Sequence, residues 1–120
     1  MVTTPQSLAA MVVRKAVTMA QHVDVPILGI VENMAGFVAP DTGKRYDVFG
    51  PSHSGEVAEL AGAPLLARLP LDANMAALSD AGNVEAIERQ EMDVLVRKLQ
   101  KRLPRTKQTK TREQAQVAVP

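Results

Sequence analysis

The apolar positions of this chain repeat with two different periods. Residues 26–31, Pro-Ile-Leu-Gly-Ile-Val, form a short apolar run rich in β-branched residues. It predicts a strand over 25–31 covered on both faces, as in a parallel sheet. Upstream, Leu8, Met11, Val12, Ala16 and Met19 recur at helical spacing, with Arg14, Lys15 and Gln21 elsewhere on the helix. That predicts an amphipathic helix lying on the sheet, with Thr4 as its cap and Pro5 in its first turn. His22-Val23-Asp24 ends it, and the short link to the strand has the order of a β-α-β crossover. Residues 1–4 read as the end of an earlier strand.

After Met34, two short segments flank Asp41-Thr42-Gly43, the pattern of a β-hairpin. Ser52 or Ser54 is the expected cap of the next helix, with Val57, Ala58, Leu60 and Ala61 as its packed face and Gly62 as its stop. Residues 64–69 read as a second parallel strand with Pro70-Leu71-Asp72 at its carboxyl end. Asp72 or Asn74 then starts a short helix closed at Ala81-Gly82. A single terminal helix is expected over 84–103, with Val84, Ile87, Met92, Leu95, Val96 and Leu99 as its stripe. From Pro104 the sequence RTKQTKTREQAQVAVP has too little apolar surface to offset the entropy of ordering it, so residues 104–120 are expected to be a disordered tail. The expected fold is α/β: one three-layer unit over residues 1–103, with two or three parallel strands, flanking helices and a hairpin insertion.

Composition removes several functions. Aromatic residues make up only 2% of the chain, so base stacking on exposed rings is disfavoured and the core must be aliphatic. Fourteen basic residues against 13 acidic ones give no field strong enough for bulk attraction to nucleic acid or membranes. With no long apolar run and no signal-peptide pattern, the expected location is cytoplasmic. The absence of cysteine excludes disulfides, a thiol nucleophile and thiolate-ligated metal.

In open parallel sheets ligands bind beyond the carboxyl ends of the strands, where Glu32, Asn33 and Met34 lie. The Asn33 amide offers a paired donor and acceptor suited to a purine edge. On the residues alone, capping a turn is its plainer role. His53 and Glu56 have the spacing of a metal pair but lack a third ligand, and Asp41 and Asp47 read as solvated turn formers. No metal site is assigned.

The succession VTTPQ, a helix, VPILGIVENMAGF, DTGKRYDVFG, LARLPLD and SDAG resembles the C-terminal half of the Mrp family. These are ATP-binding iron-sulfur cluster carriers related to MinD and ParA, P-loop ATPases with a deviant Walker A. The resemblance spans roughly residues 2–84. It implies a P-loop NTPase-like fold, ATP as cofactor, and iron-sulfur assembly or target proteins as partners. It also implies that Asn33 and the loop Pro70-Leu71-Asp72 lie beside adenine.

Three departures shape the functional expectation. Where the family carries Cys-Pro-x-Cys, this chain has Ala39-Pro40-Asp41-Thr42, and neither end residue replaces a thiolate toward iron, so no cluster is expected here. A glycine-rich run of the family is replaced by Pro51-Ser52-His53-Ser54-Gly55. No G-x-x-x-x-G-K-[ST] stretch occurs, so the backbone cradle for a triphosphate is missing and Thr3, Thr4 and Gln6 receive no catalytic role. The leading expectation is a truncated Mrp-like carrier or assembly ATPase homologue that keeps the adenine side and does not hydrolyse ATP alone. The alternative is a non-enzymatic interaction module, either a homo-oligomer or one pairing with a partner chain that completes its sheet at an exposed edge. A third reading makes Met1 an internal start of a longer polypeptide.

Overall fold

The computed structural model describes residues 1–104, and the expected tail over 105–120 lies outside them. Three parallel strands form the sheet: β1 (Val2–Thr3), β2 (Ile30–Asn33) and β5 (Leu65–Leu69), in the order β1-β2-β5. Helices α1 (Ser7–His22) and α2 (Ser54–Ala61) cover one face. Between them and β2 sits an aliphatic core of Ala10, Val17, Ile30, Val57 and Ala58, with Val13, Ile27, Ala61 and Leu65 packed around it. Helix α4 (Gln90–Arg102) packs against β5, its Leu95 and Leu99 sharing a cavity wall with Val31 and Leu66. The antiparallel hairpin β3 (Phe37–Val38) and β4 (Arg45–Tyr46) projects from the sheet's carboxyl end. The α/β three-layer architecture is therefore as expected, with three parallel strands.

The expected strand over 25–31 is displaced. Its ladder starts at Ile30, because its neighbours begin only there: Ile30 N–H donates to the Pro64 carbonyl, and the Met1 ammonium to the Gly29 carbonyl, at 2.9 and 2.8 Å. Residues 25–29 precede any partner strand, and Pro26 has no N–H to give. Glu32 and Asn33 consequently lie inside the strand, and β2 sits at the centre of the sheet with both edges paired. The strand-free edges are those of β1 and β5.

Register is adjusted at Leu66, where the β2–β5 pairing slips between Ile30 and Val31. Leu66 there crowds Gly29, whose Cα would place a Cβ 2.4 Å from the Leu66 Cγ. Gly29→Ala should accordingly destabilise the fold by about 1–3 kcal/mol, because the added methyl forces the buried Leu66 side chain out of its place. A lowered urea midpoint with unchanged slope would register this, and an unchanged midpoint would contradict the close approach.

Three further expectations change. Thr4 does not cap α1, and Pro5 lies before the helix and not in its first turn; Gln6 holds the cap position without a side-chain bond. The buried stripe of α1 is Ala10, Val13 and Val17, whereas Leu8, Met11, Val12 and Met19 are exposed. The terminal helix is broken into a 3-10 turn, Val84–Ala86, and α4. Arg89 at the break has extended backbone, which turns its side chain inward. The Gly62 stop is as expected, with left-handed backbone. Ser52 serves the start of α2 from one position before the cap, accepting from Ser54 N–H.

Candidate functional site

The carboxyl ends of β2 and β5 are joined by main-chain bonds. Ala35 N–H donates to the Leu69 carbonyl at 2.9 Å, and Leu71 N–H to the Gly36 carbonyl at 2.8 Å. This brings the loop after Asn33 against Pro70-Leu71-Asp72. Asn33, the last residue of β2, accepts from Met34 N–H through its side-chain oxygen at 2.9 Å. Met34 and Gly36 both have left-handed backbone, φ 56° and 90°. For Met34 this is an uncommon conformation, and the Asn33 bond helps to hold it.

Asp72 caps α3 (Ala73–Asp80), its carboxylate accepting from the amides of Asn74 and Met75 at 2.9 and 3.1 Å. Beside it stands Arg89, whose side chain is only 7% exposed and is fully engaged. Its guanidinium donates to the Pro70 carbonyl at 3.2 Å and lies 3.4 Å from Asp72 and 3.7 Å from Glu91. The arginine thus fixes the Pro70-Leu71-Asp72 loop from below.

An open groove of about 670 Å³ runs along this loop. Phe37, Val38 and Pro40 of the hairpin form one wall, and Pro70, Leu71 and Asp72 the other, with Arg89 and its neighbours closing the end. Three of the four expected ligand residues line it. Asn33 does not; it sits one strand over, in register with Leu69. Half of its lining residues are apolar, and the others, Asp72, Asn74, Glu88, Arg89, Gln90 and Glu91, are polar or charged.

Behind the site is a buried polar cluster that reasoning from sequence had not assigned. Glu32 is fully buried, with Arg68 Nε donating to one carboxylate oxygen at 2.7 Å and Ser52 Oγ to the other at 2.5 Å. Ser52 also meets Ser54 Oγ at 2.7 Å, tying the loop before α2 to the sheet. Two strands carrying opposite charges at matching distances from their carboxyl ends were the available signal. Arg89 left none, because its role depends on tertiary placement alone.

The hairpin turn is closed by Ala39 N–H to the Lys44 carbonyl and Gly43 N–H to the Ala39 carbonyl, at 2.9 and 2.8 Å. Arg45 anchors it to the Ala35 carbonyl at 2.6 Å. Ala39 and Thr42 are three apart on this single turn. His53 and Glu56 approach to 3.5 Å, and Glu56 pairs with Arg14. Among the described residues no three metal-ligating side chains cluster, and no helix is long and apolar enough to cross a membrane.

Comparison with known proteins places this geometry. The chain is 47% identical over 81 residues to an iron-sulfur cluster carrier protein of Deinococcus radiodurans, covering 68% of this chain and 23% of that one. It is 39% identical to the iron-sulfur cluster carrier protein of Aquifex aeolicus, covering 78% and 26%. A cytosolic Fe-S cluster assembly factor Nubp2 homolog of Anopheles gambiae is 44% identical, with 68% and 31% covered. The chain thus spans about a quarter to a third of the length of these relatives. Among solved structures, the nucleotide-binding protein of Archaeoglobus fulgidus in complex with ADP superposes with a TM-score of 0.64 at 41% identity, covering 75% of this chain and 37% of that one. Residues 1–104 match the ParA family described as NUBPL iron-transfer P-loop NTPase, and the chain belongs to that family.

Proposed function

We propose that this chain is the adenine-side portion of a nucleotide-binding domain serving iron-sulfur cluster assembly, its 120 residues supplying neither a phosphate loop nor cluster ligands. The supporting observation is the bonded junction of the β2 and β5 ends, which sets Asn33 and Pro70-Leu71-Asp72 around one end of the sheet beside an open groove. A solved relative at 41% identity binds ADP, which favours a nucleotide as the ligand.

The chemistry of the residues sets the limits of this role. Triphosphate affinity in P-loop proteins comes mainly from backbone amides of the glycine-rich loop, its lysine and magnesium. None of the 120 residues supplies such a loop. What remains is shape and a few polar groups for the base: the Asn33 amide, the Pro70-Leu71 backbone and the Asp72 cap. Hydrolysis by this chain alone is not part of the proposal.

Ala39 and Thr42 likewise do not fit an iron-sulfur cluster, since a methyl and a neutral hydroxyl replace the thiolates that such clusters need. Residues 1–103 form the proposed functional unit, acting on assembly or target proteins of the cytosol. Nuclear magnetic resonance titration with adenosine, AMP and ATP tests the reading. All three should bind with similar, weak affinity, on the order of millimolar, and shift the amides of Asn33, Leu71 and Asp72. A hundredfold preference for ATP, or shifts confined elsewhere, would contradict it.

A further inference from the structure

The near-balance of charge over the whole chain hides a division within it. Eight of the 14 Lys and Arg residues lie in residues 97–112, a stretch with no Asp or Glu. Residues 1–96 hold the other six, against 12 of the 13 acidic residues. Salt screens charges beyond about 8–10 Å, so a local excess of this size sets the potential around it whatever the total is.

The stretch begins inside the folded unit. Arg97, Lys98, Lys101 and Arg102 lie in the second half of α4 and are all exposed. Among the described residues none of the four forms an ion pair. Lys98 and Arg102 donate to the main-chain carbonyls of Leu66 and Leu28, which pins α4 to the sheet and leaves their charge unneutralised. Arg97 and Lys101, one turn apart, line a surface hollow with Gln100 and Leu103. A helix dipole favours cations at the carboxyl end, but its effect falls off within the last turn. It accounts for Lys101 and Arg102, and not for Arg97 a turn earlier or for Arg105, Lys107, Lys110 and Arg112 further along the sequence.

The residues between the charges decide which polyanion fits. Residues 105–114, RTKQTKTREQ, contain no Leu, Ile, Val, Met or aromatic residue, only Thr and Gln among the charges. Stable attachment to an anionic membrane takes an apolar or lipid anchor besides the basic residues. A protein interface has an apolar or aromatic centre from which Lys is depleted. This stretch offers neither. Interfaces with nucleic acid are polar, strongly cationic and wet, and hydroxyl and amide side chains join Lys and Arg in bonding phosphate and sugar oxygens. With no aromatic side chain to stack on, the bases of a single strand add nothing, so the denser phosphates of a duplex are favoured.

We infer that residues 97–112 bind the phosphate backbone of a nucleic-acid duplex without reading its sequence, Arg97 and Lys101 of α4 being the folded part of the site. Affinity comes from release of the counterions that the phosphates hold. The groove beside Pro70-Leu71-Asp72 takes no part, so the nucleotide titration tests a separate claim.

The measurement is fluorescence anisotropy of a labelled DNA duplex of about 20 base pairs, titrated with the full 120-residue chain over a range of salt concentrations. The dissociation constant should be on the order of 10 µM at about 50 mM salt, and the logarithm of affinity should fall against the logarithm of salt with a slope of about −5. That slope corresponds to about six phosphates, Lys98 and Arg102 being held by carbonyls. The double variant Arg97→Gln, Lys101→Gln should keep its circular dichroism, make the slope shallower by about 2 and bind about tenfold more weakly. A single strand should bind more weakly than the duplex, and a change of duplex sequence should leave the affinity as it was. No binding at about 50 mM salt, a double variant that binds like the parent, or a single strand that binds more tightly would overturn the inference. So would phosphatidylserine vesicles or polyglutamate binding as tightly as the duplex. If the double variant fails to fold, the variant Arg105→Gln, Lys107→Gln, Lys110→Gln, Arg112→Gln decides: a slope shallower by about 3–4 supports the site, and an unchanged slope refutes it.

Discussion

Replacing Ala39 and Thr42 together by cysteine should convert a protein with no thiolate into one that takes up an iron-sulfur cluster under anaerobic reconstitution. The closed hairpin turn places the two positions three residues apart within one turn, held by the Gly43 to Ala39 bond and by Arg45 on the Ala35 carbonyl. A four-iron cluster needs four thiolates, and each chain would supply two. Uptake should therefore saturate at about half a cluster per chain and be accompanied by dimer formation, since two chains must share each cluster. Either single cysteine variant should fall well short. Absence of iron-sulfur absorbance in the double variant, or a cluster on the unmodified protein, would show that this turn is not the frame of a cluster loop.

Removing Arg68 should be among the most damaging single changes to stability. Glu32 is fully buried, and its carboxylate has two side-chain partners, Arg68 and Ser52. Arg68→Ala would leave a buried charge with a single hydroxyl, an arrangement that typically costs 3–5 kcal/mol. Arg68 is itself 44% exposed, so water will compensate in part, and about 2–4 kcal/mol is expected. Adding Glu32→Leu to that variant should recover part of the loss, because the stranded charge is gone. Urea denaturation of both single variants and the pair would show this as a coupling above about 1 kcal/mol. Strictly additive losses would mean that the carboxylate and the guanidinium do not depend on each other.

What the sequence disclosed and what it hid divide along a physical line. Local rules sufficed for the Gly62 stop, the hairpin around Asp41-Thr42-Gly43, the strand at Leu65–Leu69 and the Asp72 cap, since each is decided by backbone preference or short-range bonding. The span of β2 was misjudged because a strand's ends are set by its neighbours, and β1 and β5 offer no partner before Ile30. The face of α1 was misjudged because its apolar residues form two stripes, and periodicity does not say which one meets the sheet. The break before α4 follows from Arg89 reaching back to Pro70, a contact 19 residues away in sequence. At the site, Pro70-Leu71-Asp72 stood out as a strand-end loop. Glu32 was visible as a residue but not as a buried anchor, because its burial depends on Arg68 and Ser52 arriving from elsewhere.

Calorimetric titration of the full chain with ATP, with and without magnesium, tests the central claim that the adenine side is present without a phosphate site. With only the base held, heats at micromolar ATP should show no saturation and no dependence on magnesium, and prolonged incubation should release no phosphate. Saturable, magnesium-dependent binding at micromolar ATP would contradict the account, because it would require a phosphate cradle that these 120 residues do not supply.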